Sequence, residues 1–251
     1  MSVLALVALA AIAATPSRGD VIQRGGVRVG FKSELRPRAL PRAGTAPVSV
    51  RLEGRVTPLG GGLPPRLRTL RIAINRQGRL NPGALPVCTL AQISASSTKY
   101  ALAVCGRSLV GEGDFSARVA IPGQSPFPSR GHVVAFNGRY RGAPAILAHV
   151  YGTRPAPTSF TLPMRIGHAR GTFATVITAS LPRVATNRAY VTGLSMTLGG
   201  PGVADGAYLR ASCPAPAGFP GANFPLARAS FEFAGGPTVR STEVRACKAL
   251  G

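Results

Sequence analysis

Three histidines, one close pair of acids, four cysteines and an excess of arginine are the residues in this chain with chemistry to offer. His132, His149 and His168 fall on separate segments of the 251 residues. A general base or metal site built on them needs a carboxylate or a second imidazole close by. Acids are scarce: of eight, only Asp205, Glu232 and Glu243 follow residue 115. Glu112 and Asp114, in LVGEGDF, are the one close acidic pair. At i and i+2 on a strand they share a face, and the flanking glycines allow a close approach, which suits a glycosidase-like acid/base pair or a calcium edge. Calcium takes about six to eight oxygens, far more than two acids supply, so this pair is expected to meet neighbouring arginines. His149, on one face with Leu147 and Tyr151, is with Glu112 and Asp114 the nucleus of the alternative reading, an extracellular hydrolase assembled from distant strands. The chain has no G-x-S-x-G elbow and no P-loop, and GRSLVG at Gly106 to Gly111 has the wrong spacing for an elbow.

The cysteines, Cys88, Cys105, Cys213 and Cys247, are even in number and follow an apolar N-terminal run, so disulfides are expected. Nearest-neighbour pairing joins Cys88 to Cys105 and Cys213 to Cys247, although four cysteines allow three connectivities. No C-x-x-C or Cys/His pair at ligand spacing supports zinc, and no cofactor is expected. With every cysteine bridged, no thiol nucleophile remains. The apolar run, Val3 to Ala14, spans about 18 Å as a helix, short of a hydrocarbon core of about 30 Å. Ala11-Ile12-Ala13 has the small-residue spacing of a cleavage site and Thr15-Pro16-Ser17-Arg18-Gly19 breaks the chain beyond it. Residues 1–19 are therefore expected to be a signal peptide, although Met1-Ser2 lacks the usual positive charge. No later apolar run approaches 18 residues, so the mature chain is expected to carry no transmembrane anchor and to be secreted or held in the cell envelope.

Charge is the strongest compositional signal: 27 Arg and 3 Lys against 8 acids give a net +22. Such a chain is drawn to polyanions over a Debye length of about 8 to 10 Å. An Arg-over-Lys, Ala/Gly/Pro-rich composition is also what a high-GC genome produces. Arginines crowd at Arg36, Arg38 and Arg42; at Arg66, Arg68, Arg71, Arg76 and Arg79; and at Arg139, Arg141, Arg154, Arg165 and Arg170. Guanidinium forks suit phosphate and carboxylate polymers, and Arg66, Arg68, Arg71, Arg139 and Arg141 are the candidate polyanion contacts. With no Trp and five Tyr, a stacking platform is hard to build. An anionic wall polymer or acidic polysaccharide is thus a better partner than nucleic acid.

Period-2 alternation between Gly/Pro turns dictates the elements that carry these groups. Val27, Val29 and Phe31 alternate with Arg28, Gly30 and Lys32; Val48, Val50, Leu52 and Val56 with an outward Arg51-Glu53-Arg55 ladder; Leu70, Ile72 and Ile74 with Arg71 and Asn75. Phe115 and Ala117 face inward, and later strands run over 133–140, 145–151, 159–166, 172–180, 190–198, 227–233 and 238–245. Asn137-Gly138 has turn chemistry, but alternation passes through it and Gly142-Ala143-Pro144 is the better turn. One short helix, capped by Ser97 or Thr98 and ended by Gly106, is pinned by the Cys88–Cys105 bridge. The fold class expected is all-β, an antiparallel β-sandwich of ten to twelve strands in one domain over 20–251, with a split into two sandwiches near 122–130 as the alternative.

Several strings resemble a group of exported β-rich proteins from high-GC bacteria. They are AINRQGRL (Ala73 to Leu80), LPVC ending at Cys88, ALAVC ending at Cys105, SLVGEGDF ending at Phe115, QSPFPSRG, AFNGRY, AILAHVYGT, VTGLSMTLG and CPAPAGFPGANFPLARASFEFAGG. The resemblance implies export and places no activity, ligand or catalytic residue on any position. The functional expectation is a secreted, non-catalytic envelope or surface module that engages anionic polymers through Arg-rich strand faces.

Overall fold

Burial alternates where the sequence alternates. In the computed structural model, which describes residues 19–153, 157–181, 189–200, 203 and 206–250, strand β2 (Val27–Arg36) buries Val27, Val29, Phe31, Ser33 and Leu35 and exposes the residues between. Residues 1–18 of the expected signal segment, Arg154 and Asp205 lie outside the described residues. The same pattern shapes β5 (Ser49–Pro58), β6 (Leu67–Asn75), β12 (Phe173–Ser180) and β16 (Thr238–Leu250). The remaining long strands are β8 (Leu109–Val119), β9 (Phe127–Tyr140), β10 (Ala143–Gly152), β11 (Thr158–His168), β13 (Ala189–Gly199) and β15 (Gly221–Phe233). Shorter ones are β1 (Asp20–Arg24), β3 (Ala39–Pro41), β4 (Ala46–Pro47), β7 (Gly78–Leu80) and β14 (Leu209–Ala211).

The chain is all-β, but its strands do not divide into two separately paired sheets. Thirteen form one continuous sheet in the order β1-β2-β5-β13-β8-β9-β10-β11-β12-β6-β15-β16-β3. Two insertions keep the ladder unbroken: β13 sits between β5 and β8, and β6 between β12 and β15. Strands from before and after residues 122–130 thus alternate in one sheet, and that segment is the β8–β9 hairpin, closed by Val119 opposite Phe127. The sheet curls until its walls touch. Phe31 on β2 meets Phe231 on β15 edge-on at 6.4 Å between ring centroids, and Phe115 on β8 meets Phe160 on β11 at 5.7 Å. One end is covered by the small sheet β4-β14-β7, whose Leu209 and Ala211 join the main core.

Where the curl brings β1 and β2 to β16, side chains replace the main-chain ladder. The Glu243 carboxylate accepts from the Asp20 amide at 3.0 Å and the Ser33 amide at 3.2 Å, and pairs with Arg245. Arg245 Nε donates to the Ser33 carbonyl at 2.6 Å, and Ser241 Oγ donates to Asp20 Oδ2 at 2.8 Å. An edge strand offers unpaired amides and carbonyls, and here the Glu243–Arg245 pair satisfies three of them, the Asp20 amide and the Ser33 amide and carbonyl.

Helical residues cover the outer face of β9 and β10. They form α1 (Leu90–Ile93) and α2 (Thr98–Cys105), two pieces rather than the one expected. Ser97 caps α2, accepting from the Tyr100 amide at 3.2 Å. Gly106 stays right-handed and leads into a further 3-10 turn, so it is not the left-handed stop expected. Ile93, Ala101 and the Cys88–Cys105 bridge pack on Val134, Phe136, Ala145 and Leu147, which buries both faces of mid-β9. The second bridge, Cys213–Cys247, ties the β14 exit to β16. Arg141-Gly142, both at positive φ between the paired Tyr140 and Ala143, turn the β9–β10 hairpin, as a type I′ turn requires. Asn137 is instead buried, its amide nitrogen within 2.9 to 3.2 Å of the Pro82, Leu85 and Pro86 carbonyls.

Candidate functional site

Register decides which polar groups meet on the outer face. Asp114 on β8 lies opposite Ser195 on β13 and His132 on β9, and Glu53 on β5 continues the line beyond Ser195. His132 Nδ1 stands 3.8 Å from Asp114 Oδ1. The Asp114 amide donates to Ser195 Oγ at 3.2 Å, and that hydroxyl points back to Asp114 Oδ2 at 3.5 Å. Serine and imidazole flank β8 on opposite sides, about 10 Å apart by strand spacing, so the imidazole is out of reach of the hydroxyl and the three residues do not form a serine–histidine nucleophile–base pair. Glu112 shares the outward face of Asp114, as expected, and is opposite Thr197 and Val134. Among the described residues neither acid pairs with an arginine, contrary to the expected arginine contacts. The row borders a groove of about 1220 Å³ that also holds Arg51, Arg55, Arg118 and Arg130.

His149 does not join these acids. Its cross-strand neighbours on β10 are Val134 and Thr161. The side chain is fully buried with no hydrogen-bond partner on either ring nitrogen. Burial lowers its pKa, offset in part by the nearby Ile93 main chain. An imidazole sealed from solvent is out of reach of a substrate. The His149-Glu112-Asp114 nucleus of the hydrolase reading is therefore not assembled, and what the sequence missed is that His132, not His149, faces Asp114. Among the described residues no group of three or more His, Cys, Asp or Glu could hold a metal.

The arginines sort differently from their spacing in sequence. Arg71 on β6 lies opposite Thr178 on β12, which lies opposite Arg165 on β11. On its other side Arg71 lies opposite Ser230 on β15, which lies opposite Arg240 on β16. Paired residues share a face, so Arg165, Arg71 and Arg240 form an exposed line with a hydroxyl residue between each two. Alternate strands are about 10 Å apart. Arg228 on β15 stands beside the line, its guanidinium 4.5 Å from the Phe173 ring centroid and its Nε donating to Thr242. The three arginine–carboxylate pairs among the described residues occupy Arg36, Arg55 and Arg245, and none takes Arg71, Arg165 or Arg240.

Of the five sequence-selected arginines, Arg71 lies within this line. Arg68 is exposed at the irregular start of β6, and Arg66 is half-buried. Arg139 lines a separate pocket with Pro82 and Pro144, and Arg141 stacks 5.3 Å from Tyr140 at the hairpin tip. Gly138 shares the cross-strand row of Arg165 and Ala145, so its neighbour Arg139 faces away from the line, and Arg141 sits in the turn beyond the last β9–β10 pair. Alternation on β11, β15 and β16 marks Arg165, Arg228 and Arg240 as outward; only register shows that they align. Comparison with protein-family models, curated proteins and solved structures finds no match.

Proposed function

We propose that this chain is a secreted, non-catalytic module of the cell envelope or surface that binds an anionic polymer along the outer face of β11, β12, β6, β15 and β16. The observation that carries the reading is the line Arg165-Thr178-Arg71-Ser230-Arg240, whose arginines pair with no acid among the described residues and are separated by hydroxyls. Guanidinium groups left without carboxylates are free to fork onto phosphate or carboxylate oxygens, and serine and threonine between them add donors. A repeating charge suits a polymer better than a single small ion. Two disulfides, which persist in an oxidising compartment, support the location. No described helix is long and apolar enough to cross a membrane. Nucleic acid is the weaker partner because the chain has no Trp and five Tyr, and Phe173 beside the line is already under Arg228.

Retention on immobilised poly(glycerol phosphate) tests the reading. The triple variant Arg71→Gln/Arg165→Gln/Arg240→Gln is expected to elute at markedly lower salt than the wild type. A control triple of equal charge change, Arg24→Gln/Arg28→Gln/Arg36→Gln on β1 and β2, is expected to elute close to it. Equal losses in both triples would reduce the interaction to net charge.

A further inference from the structure

The curled sheet encloses a cavity of about 110 Å³ whose lining side chains are all apolar. Side chains fill the interior of a barrel of about eight strands, and wider ones leave space. Here Ala148, Ala179 and Gly54 leave the space between the two edge-on phenylalanine pairs. A void with no polar partner holds water poorly and favours hydrocarbon. The cavity is not sealed from outside. The β5–β13 ladder ends at Arg55 opposite Gly193. Beyond that pair Val56 to Pro58 stay paired to β2, while Ala189 to Val191 stay paired to β8. The sheet therefore splits between β5 and β13. Gly54, Val56, Phe115, Gly193 and Leu194 line both the cavity and the outer groove, so the two spaces meet there. Around that junction stand Arg55 and Arg130, in one cross-strand row with Gly193 and Ser116, and Arg118 on the same groove.

We propose that the cavity and the adjoining groove form one site for a single-chain anionic amphiphile, the alkyl chain inside the sheet and the headgroup on Arg118 and Arg130, Arg55 being held by Glu53 at 3.0 Å. The site stands independently of the polymer-binding line: β6, β11, β12 and β15 line the cavity with their inner faces and carry the line on their outer faces, and the headgroup groove lies on β5, β8, β9 and β13. Alkyl phosphates from hexyl to decyl, below their aggregation concentrations, test it by titration calorimetry on the purified protein. Each added methylene is expected to tighten binding about fourfold until the cavity is full. Arg118→Gln/Arg130→Gln is expected to weaken decyl phosphate at least tenfold and leave decanol unchanged. Two variants that fill the void, Ala148→Leu and Ala179→Leu, are expected to lose decyl phosphate while melting no lower than the wild type. The proposal is overturned by affinity independent of chain length, by inorganic phosphate binding as well as decyl phosphate, or by both filled variants either retaining the ligand or melting well below wild type.

Discussion

Glu243 is a buried carboxylate, 3 % exposed, that closes the sheet's seam through two amides and a guanidinium. Removing one partner of a buried pair leaves the other charge uncompensated and costs about 3 to 5 kcal/mol. Glu243→Ala is expected to lower unfolding free energy by that order in urea titrations, whereas Glu34→Ala, from an exposed pair, changes it by less than about 1 kcal/mol. His149 gives a pH dependence. Its folded pKa lies below its ordinary value, so the unfolded chain gains a proton first as pH falls below about 6.5. Stability is therefore present above that pH and is lost toward the folded value, by at most about 1.4 kcal/mol per pH unit. Urea midpoints at pH 7, 6 and 5 are expected to fall less for His149→Leu than for wild type. At this scale the sequence exposes the outward Glu112 and Asp114 by simple alternation. It hides the pairing of Asp114 with His132 and of Glu243 with β1 and β2, because each depends on a strand neighbour remote in sequence.

The helical patch shows how an element is held by its surroundings. At eight residues α2 is too short to stand alone in water, and its support is Ser97, the contact with β9 and β10 and the Cys88–Cys105 bridge. A loop of that length contributes about 3 kcal/mol in the chain-entropy model. Cys88→Ser/Cys105→Ser is expected to destabilise by that order and to speed amide exchange in α2 ahead of the inner strands. Uniform acceleration across the sheet would show that the patch is part of the global unit. The long strands are legible, 133–140 in β9 and 145–151 in β10 among them, whereas the two- and three-residue strands β3, β4, β7 and β14 are too short to show a period. In mid-β9 and mid-β10 the burial of both faces is not legible, because it comes from helices placed there by the fold. Nor is the turn legible at Arg141-Gly142, where arginine occupies a left-handed position that asparagine ordinarily favours.

For the whole molecule, one unbroken sheet replaces two facing ones because β13 and β6 enter between strands distant in sequence. Local pattern specifies which face of a strand is buried, and leaves open which strands are neighbours. That ordering also aligns Arg165, Arg71 and Arg240 from three parts of the chain, whereas Arg139 and Arg141, close to each other in sequence, fall elsewhere. The alignment turns a diffuse net charge into a directed surface.

The most direct measurement is the salt dependence of affinity for poly(glycerol phosphate), wild type against Arg71→Gln/Arg165→Gln/Arg240→Gln. Each lost contact to a flexible polyanion removes about 0.7 from the slope of log K against log salt. The slope is expected to fall by about 2, and an unchanged slope would contradict a binding role for the line.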